Sequence, residues 1–344
     1  MRIDYYFPLN KSHLLKALTL AFFYKKKCVI YFDSSVNKKV EFLYGTIFLY
    51  KKEKILLIDD NVFSNIPYIR NSYVFSTVGK IYFKHVSSLL ADDLSADFLK
   101  DKNKVFIFHD GNPISKAVLK KSKDVYLIED GLANLSCKKN RFFRKVYHLI
   151  LKRDFFYNYM GDNLNIKKII LFSFKIDGDV SQSMKNKIMY FDYFTEMNKN
   201  KEYLANIFSE VMGLKFDYNI KSTDYIILTQ PFERDFYKYT KEYRVDFFNK
   251  IILKIKEKGF SVSLKAHPSE YSDDYLLDEV DYNLSSDFPI ELQSCFLNKP
   301  YKYAIALYST SIYDERLALF SINLLSKDDW INRKELENVT INLN

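Results

Sequence analysis

Short apolar runs that stop abruptly at charged or hydroxyl-bearing loops constrain this chain more than any other feature. Val125-Tyr126-Leu127-Ile128 stops at Glu129-Asp130-Gly131, and Phe260-Ser261-Val262-Ser263-Leu264 stops at Lys265-Ala266-His267-Pro268. A third run, Ala304-Ile305-Ala306-Leu307, leads into Ser309-Thr310-Ser311. Strands buried in a parallel sheet read in this way, and the carboxyl ends of such strands are where the sheet presents chemistry.

The runs recur in both halves of the chain with helical segments between them. In the first half, strands are expected at Ile3–Phe7, Cys28–Phe32, Ile55–Ile58, Lys104–Phe108, Val125–Ile128 and Ile169–Phe174, with a helix over Ser12–Tyr24. Gly111-Asn112-Pro113 reads as a turn opening a further helix. The second half resumes at Tyr225–Thr229 and continues with an amphipathic helix over Lys241–Lys258 stopped by Gly259. Strands ending at His267 and near Leu307 follow, and Ser309 is expected to open a helix running to Leu319. This alternation predicts an α/β fold of two Rossmann-like domains. The expected division is 1–175, a helical connector without a strand over 176–221, a second domain over 222–325, and a tail over 326–344 packing back on the first domain.

Composition excludes some classes and leaves others open. The 48% apolar content of the 344 residues suffices for real cores and excludes a disordered or fibrous chain. The net charge of +9 is spread along the chain among acidic residues, without a finger or an Arg-rich arm, so nucleic acid is not expected as a partner. An anionic substrate, an anionic membrane surface and a solvated Lys-rich surface all accommodate the excess. Cys28, Cys137 and Cys295 are widely separated and form no metal spacing, which fits a cytoplasmic location. No stretch has the length and apolarity of a bilayer span or a signal-peptide core.

The loop residues divide between chemical and structural readings. Asp130 is either a general base held at a strand end or part of an Asp-Gly turn with Gly131; Glu129 either raises its pKa or orients the loop. His267 either meets a departing phosphate, with Lys265 adding positive potential, or caps the turn at Pro268. Metal ligation is disfavoured because no second His or Cys lies at ligand spacing. Ser309, Thr310 and Ser311 either bind phosphate at a helix start or serve as an ordinary N-cap. Glu291, after Pro289, suits ribose hydroxyls. His109-Asp110-Gly111, Gln230 and two further carboxylates, Asp235 and Asp246, complete the candidates.

Taken in order, Glu129-Asp130-Gly131, His267-Pro268 and Ser309-Thr310 resemble the acidic-Gly, His-Pro and Ser/Thr motifs of bacterial sialyltransferases. The string Leu127–Gly131 and the block from Gln230-Pro231 to His267-Pro268 resemble glycosyltransferase family 52, the lipooligosaccharide and capsule sialyltransferases. The resemblance implies a GT-B fold with two domains facing across a cleft, and inverting transfer from CMP-N-acetylneuraminic acid without a metal or other cofactor. It implies a galactose-terminated surface glycan as acceptor. By the same resemblance Asp130 is the base, with Asp235 or Asp246 as alternatives, and His267 assists departure of CMP. Ser309 and Thr310 hold the phosphate, while Pro289 and Glu291 lie near cytosine and ribose. A site at the inner face of the membrane and a homodimer are compatible with that reading. Ser309-Thr310 departs from the Ser-Ser common in the family, a change that conserves the hydroxyls.

Overall fold

The computed structural model describes residues 3–34, 38–51, 103–109, 115, 118, 119, 122, 124–129, 161, 163–172, 182–234, 236, 238–309, 311–326 and 336. The chain divides into two compact units, Met1–Asn200 and Lys201–Asn344. Both are α/β units built on parallel sheets.

In the first unit the strands are β1 (Asp4–Phe7), β2 (Cys28–Ser34), β3 (Lys38–Phe42), β4 (Gly45–Lys51), β5 (Lys104–Ile107), β6 (Val125–Ile128), β7 (Ile166–Leu171) and β8 (Ile188–Tyr190). Their order is β3-β4-β2-β1-β5-β6-β7-β8, parallel throughout except for the β3–β4 hairpin. The chain builds outwards from β1 in one direction and then from β5 in the other, which puts the topological switch point between β1 and β5. Helix α1 (Lys11–Tyr24) starts where Asn10 accepts the His13 amide at 2.8 Å. Its side chains are buried almost continuously from His13 to Phe22. Such all-round burial fits a helix that packs on α3 (Tyr193–Lys199) as well as on the sheet. Aromatic residues pair in register across strands: Tyr6 stacks on Phe106 with centroids 4.4 Å apart.

The second unit holds β9 (Tyr225–Leu228), β10 (Val262–Lys265), β11 (Tyr282–Leu284), β12 (Tyr301–Ala306) and β13 (Ala318–Asn323), in the order β11-β10-β9-β12-β13 and all parallel. Its switch point lies between β9 and β12. Tyr225, Tyr303 and Phe320 stack in register across β9, β12 and β13, at 4.8 and 5.3 Å. Two helices matter for the site, α5 (Lys241–Glu257) and α6 (Ile290–Ser294). The apolar stripe of α5, Phe248, Ile251, Ile252 and Ile255, packs with Tyr225, Ile227, Val262 and Leu264. Gly259, with φ +78, ends the helical segment in the left-handed conformation that glycine adopts at least cost.

Several expectations need correction. Ser309 opens no helix to Leu319: a single 3-10 turn, Ser311–Tyr313, precedes strand β13. Strand β7 runs three residues earlier than expected, because Ile166 rather than Phe172 faces the core of the sheet. The β3–β4 hairpin was not anticipated. The segment 176–221 is no strand-free connector, since it supplies β8 as an edge strand and α2 (Gln182–Lys185), α3 and α4 (Lys201–Met212). Within the expected tail, Leu336 lies in the core of the second unit, its amide donating to Tyr239 Oη at 2.7 Å. The strand expected at Ile55–Ile58 and the Gly111–Pro113 turn lie outside the described residues.

Candidate active site

Registered strands bring the second-unit motifs to one edge. Lys265, Leu228 and Ala306 are aligned across β10, β9 and β12. Two residues further on, His267, Gln230 and Tyr308 therefore stand at the same level. With adjacent strands about 4.8 Å apart, the ends of β10 and β12 are separated by roughly 10 Å, a span suited to a nucleotide.

Gln230 lies at the switch point itself. Its amide clamps the backbone of Tyr308, accepting from the Tyr308 amide at 2.7 Å and donating to the Tyr308 carbonyl. The side chain thus acts as an extra ladder rung beyond the end of β9. On the β10 side, Lys265 is buried and donates to the Ser285 carbonyl at 2.7 Å, where Gln293 also donates at 3.2 Å. This ties the end of β10 to the loop after β11.

His267 is half-buried, followed by the exposed Pro268 and Ser269. The Ser269 amide donates to His267 Nδ1 at 3.2 Å, and the Ser269 hydroxyl lies 2.8 Å from the same nitrogen. A neutral ring that accepts on Nδ1 carries its proton on Nε2, the tautomer able to donate to an anionic oxygen. Behind this turn lies a buried polar cluster. The His267 amide donates to Thr229 Oγ1 at 3.0 Å, and that hydroxyl donates in turn to Glu270 Oε2. Tyr275 Oη, at 2.7 Å, and Arg244 Nη1, at 3.1 Å, converge on the same carboxylate oxygen. Arg244 also reaches Glu233 at 3.0 Å. Burial lifts the Glu270 carboxyl above its ordinary range, against the downward pull of Thr229, Tyr275 and Arg244. Burial also works against the charge on Arg244, but Glu270, Tyr275 and Glu233 outweigh it.

On the β12 side the structure brings Ser309, Ser311 and Glu291 together. Ser309 Oγ accepts from the Ser311 amide at 3.3 Å, and Ser311 Oγ lies 3.4 Å from Glu291 Oε1. The Ser309 amide is engaged by Asn323 Oδ1 at 2.9 Å. The backbone amides of Ser309 and Ser311 are thus both engaged within the chain. Pro289 is buried at the N-cap of α6 and sets the entry to the turn that carries Glu291.

In the first unit Glu129 is held through both its side chain and its backbone. Its carboxylate accepts the Phe172 amide at 2.7 Å, and Lys16 Nζ donates to its carbonyl at 2.9 Å. At the β1/β5 switch point His13 stacks on Phe108, with centroids 4.5 Å apart, and its Nδ1 accepts the Leu9 amide at 3.3 Å. His109, which follows Phe108, is half-buried. Asp246 lies on the exposed face of α5, paired with Lys250 at 2.6 Å. Asp130, Gly131, Asp235, Thr310, Asp110 and Gly111 lie outside the described residues. Among the described residues no group of three or more His, Cys, Asp or Glu side chains is gathered as for a metal ion, and no helix is long and apolar enough to cross a membrane.

The family model for alpha-2,8-polysialyltransferase matches residues 99–318, more than half of the chain. The chain belongs to the alpha-2,8-polysialyltransferase family. The sialyltransferase resemblance thus holds at the level of a glycosyltransferase family, while membership of glycosyltransferase family 52 is not what the match shows. No curated protein matches the chain. Among solved structures, one of trehalose-6-phosphate synthase, from a study of glycosyl transfer with retention, is 12% identical. It aligns over 88% of this chain and 77% of its own, with a TM-score of 0.43. Arabidopsis thaliana UGT89C1 complexed with UDP-L-rhamnose is 9% identical over 96% of this chain and 80% of its own, with a TM-score of 0.42.

The stretch matched by the polysialyltransferase model contains Glu129, the His267 turn and the Ser309–Glu291 group, together with a buried cluster that sequence reasoning missed. Its signal was Arg244, a cation placed four residues before Phe248 on the apolar stripe of α5. A charge on a core-facing stripe requires a buried partner. Glu270, three residues after His267, is that partner.

Proposed function

We propose that this polysialyltransferase-family chain transfers sialic acid from CMP-sialic acid to a cell-surface glycan, with inversion and without a metal ion. The observation that carries the reading is the shared level of the β10 and β12 strand ends, with His267 on one and the Ser309–Ser311–Glu291 group on the other. The donor phosphate lies between them: His267 donates from Nε2 to the phosphate oxygen that receives charge as the bond to sialic acid breaks, and Ser309 donates from Oγ. Glu291 accepts from ribose hydroxyls. The acceptor oxygen attacks the anomeric carbon from the opposite face and loses its proton to a carboxylate base, Asp130 in this reading. A closer kinship with glycosyltransferase family 52, a GT-B arrangement of the two units and peripheral attachment at the cytoplasmic face of an anionic membrane belong to the same proposal.

The family description favours a second reading of the acceptor: a sialic acid terminus extended through an α-2,8 linkage, in place of a galactose terminus. Incubation with CMP-N-acetylneuraminic acid and matched galactose- or sialyl-terminated oligosaccharides, with products identified by mass spectrometry and linkage-specific sialidases, separates the two. A mass gain of one sialic acid on either acceptor supports the transfer. A gain on neither, with no CMP binding by calorimetry, rejects it.

A further inference from the structure

One hydroxyl holds the His267 turn from behind. Thr229 Oγ1 accepts the His267 amide at 3.0 Å and donates to Glu270 Oε2. The Glu270 amide returns to the His267 carbonyl at 2.8 Å, so backbone and side chain close the same turn. Thr229, Glu270, Arg244 and Tyr275 are all buried, at 3%, 7%, 3% and 5% exposure. An ionised carboxylate can only accept, and three donors on Oε2 favour that state. Next to such an acceptor the Thr229 proton must point to Glu270, which turns an oxygen lone pair towards the His267 amide.

Strand β9, which places Thr229, is central in its sheet, and Arg244 sits one turn into the helix that connects β9 to β10. The brace is therefore anchored in the most rigid part of the unit. A buried hydrogen-bonded ion pair is seldom a net gain in stability over apolar packing, but it can impose one geometry.

We propose that Thr229 and Glu270 are positioning residues for His267: the Glu270 carboxylate orients the Thr229 hydroxyl, and that hydroxyl registers the His267-Pro268 turn at the end of β10. The inference rests on the functional reading only in that the positioned ring is the one that meets the donor phosphate.

The test compares wild type, Thr229→Val, Thr229→Ser and Glu270→Gln in the full chain, by CMP release from CMP-N-acetylneuraminic acid and by hydrogen exchange of the His267 amide in 15N-labelled protein. Thr229→Val keeps the shape and removes the hydroxyl. The expected result is a loss in kcat of about 10- to 100-fold with donor KM changed less than about 3-fold, as for a reacting group misplaced by a fraction of an ångström. Thr229→Ser restores most of the rate, and Glu270→Gln, which keeps an acceptor, falls between. Exchange at His267 quickens in Thr229→Val and not in Thr229→Ser. Folded Thr229→Val with wild-type kcat and wild-type exchange overturns the inference, as does a serine variant no better than valine. A wild type that releases no CMP rejects the functional reading alone, because the exchange comparison still decides whether Thr229 holds the turn.

Discussion

The carboxyl ends of the two parallel sheets receive polar residues in opposite ways. In the first unit, Glu129 follows β6 and turns its carboxylate onto the amide of Phe172 beyond the neighbouring β7. That bond joins two strand ends. In the second unit, His267 follows β10 and contributes its backbone amide to the scaffold, while Thr229, Glu270, Arg244 and Tyr275 brace the turn from inside. A strand-end polar residue whose charged atoms satisfy neighbouring backbone is structural. In the proposed function, the residue whose backbone is anchored by a buried cluster, His267, is the one whose side chain serves the chemistry.

The largest effect expected to break or uphold this contrast comes from Arg244→Met. Removing the guanidinium leaves Glu270 and Glu233 without their cation, and such uncompensated buried charge costs about 3–5 kcal/mol. Urea unfolding of the full chain measures it, and a loss under about 1 kcal/mol would mean that the cluster braces nothing. Next in size, Glu129→Ala in the first unit strips the Phe172 amide of its acceptor, at a cost of about 1–3 kcal/mol. CMP affinity, read by calorimetry, stays at the wild-type value if Glu129 only joins strands; a tenfold weakening would contradict that assignment.

Asp246→Asn sharpens the contrast from the other side. An exposed pair spaced i,i+4 on α5 contributes about 0.3–0.5 kcal/mol, so both melting temperature and turnover should be nearly unchanged. A large fall in kcat would favour Asp246 over Asp130 as the base. The smallest effect is one of pH. The folded-state pKa of Glu270 lies above its ordinary 4.5, so the native state holds a proton that the unfolded chain has released. Stability is then greatest below 4.5 and declines as pH rises through the folded value. Glu270→Gln removes that decline, which urea titrations at several pH values detect.

How far the sequence could be read follows from which residues carried a local signal. The strands β5, β6 and β9 were legible because they are apolar on both faces, and β10 because Val262 and Leu264 alternate with polar residues, with turn residues or charges at the strand ends. The β3–β4 hairpin was not, since Lys38, Lys39 and Glu41 interrupt any apolar run and the pairing is decided by the facing strand. Between Ser309 and Leu319 the i,i+4 spacing of Tyr313 and Leu317 imitates a helix. Arg316 folds back on Asp314, with Nε to Oδ1 at 2.9 Å, and the chain re-enters the sheet instead. In the site, His267, Ser309 and Glu291 could be named from motif and order, whereas the Gln230–Tyr308 clamp and the Arg244–Glu270 pair depend on contacts distant in sequence.

The most direct test of the account is acceptor-stimulated release of CMP from CMP-N-acetylneuraminic acid by wild type and His267→Ala. The account predicts release by wild type and a fall of about 10²- to 10⁴-fold in the variant, which still binds CMP. Release that is unaffected by the substitution would contradict the role of His267. No release together with no CMP binding by wild type would contradict the donor assignment itself.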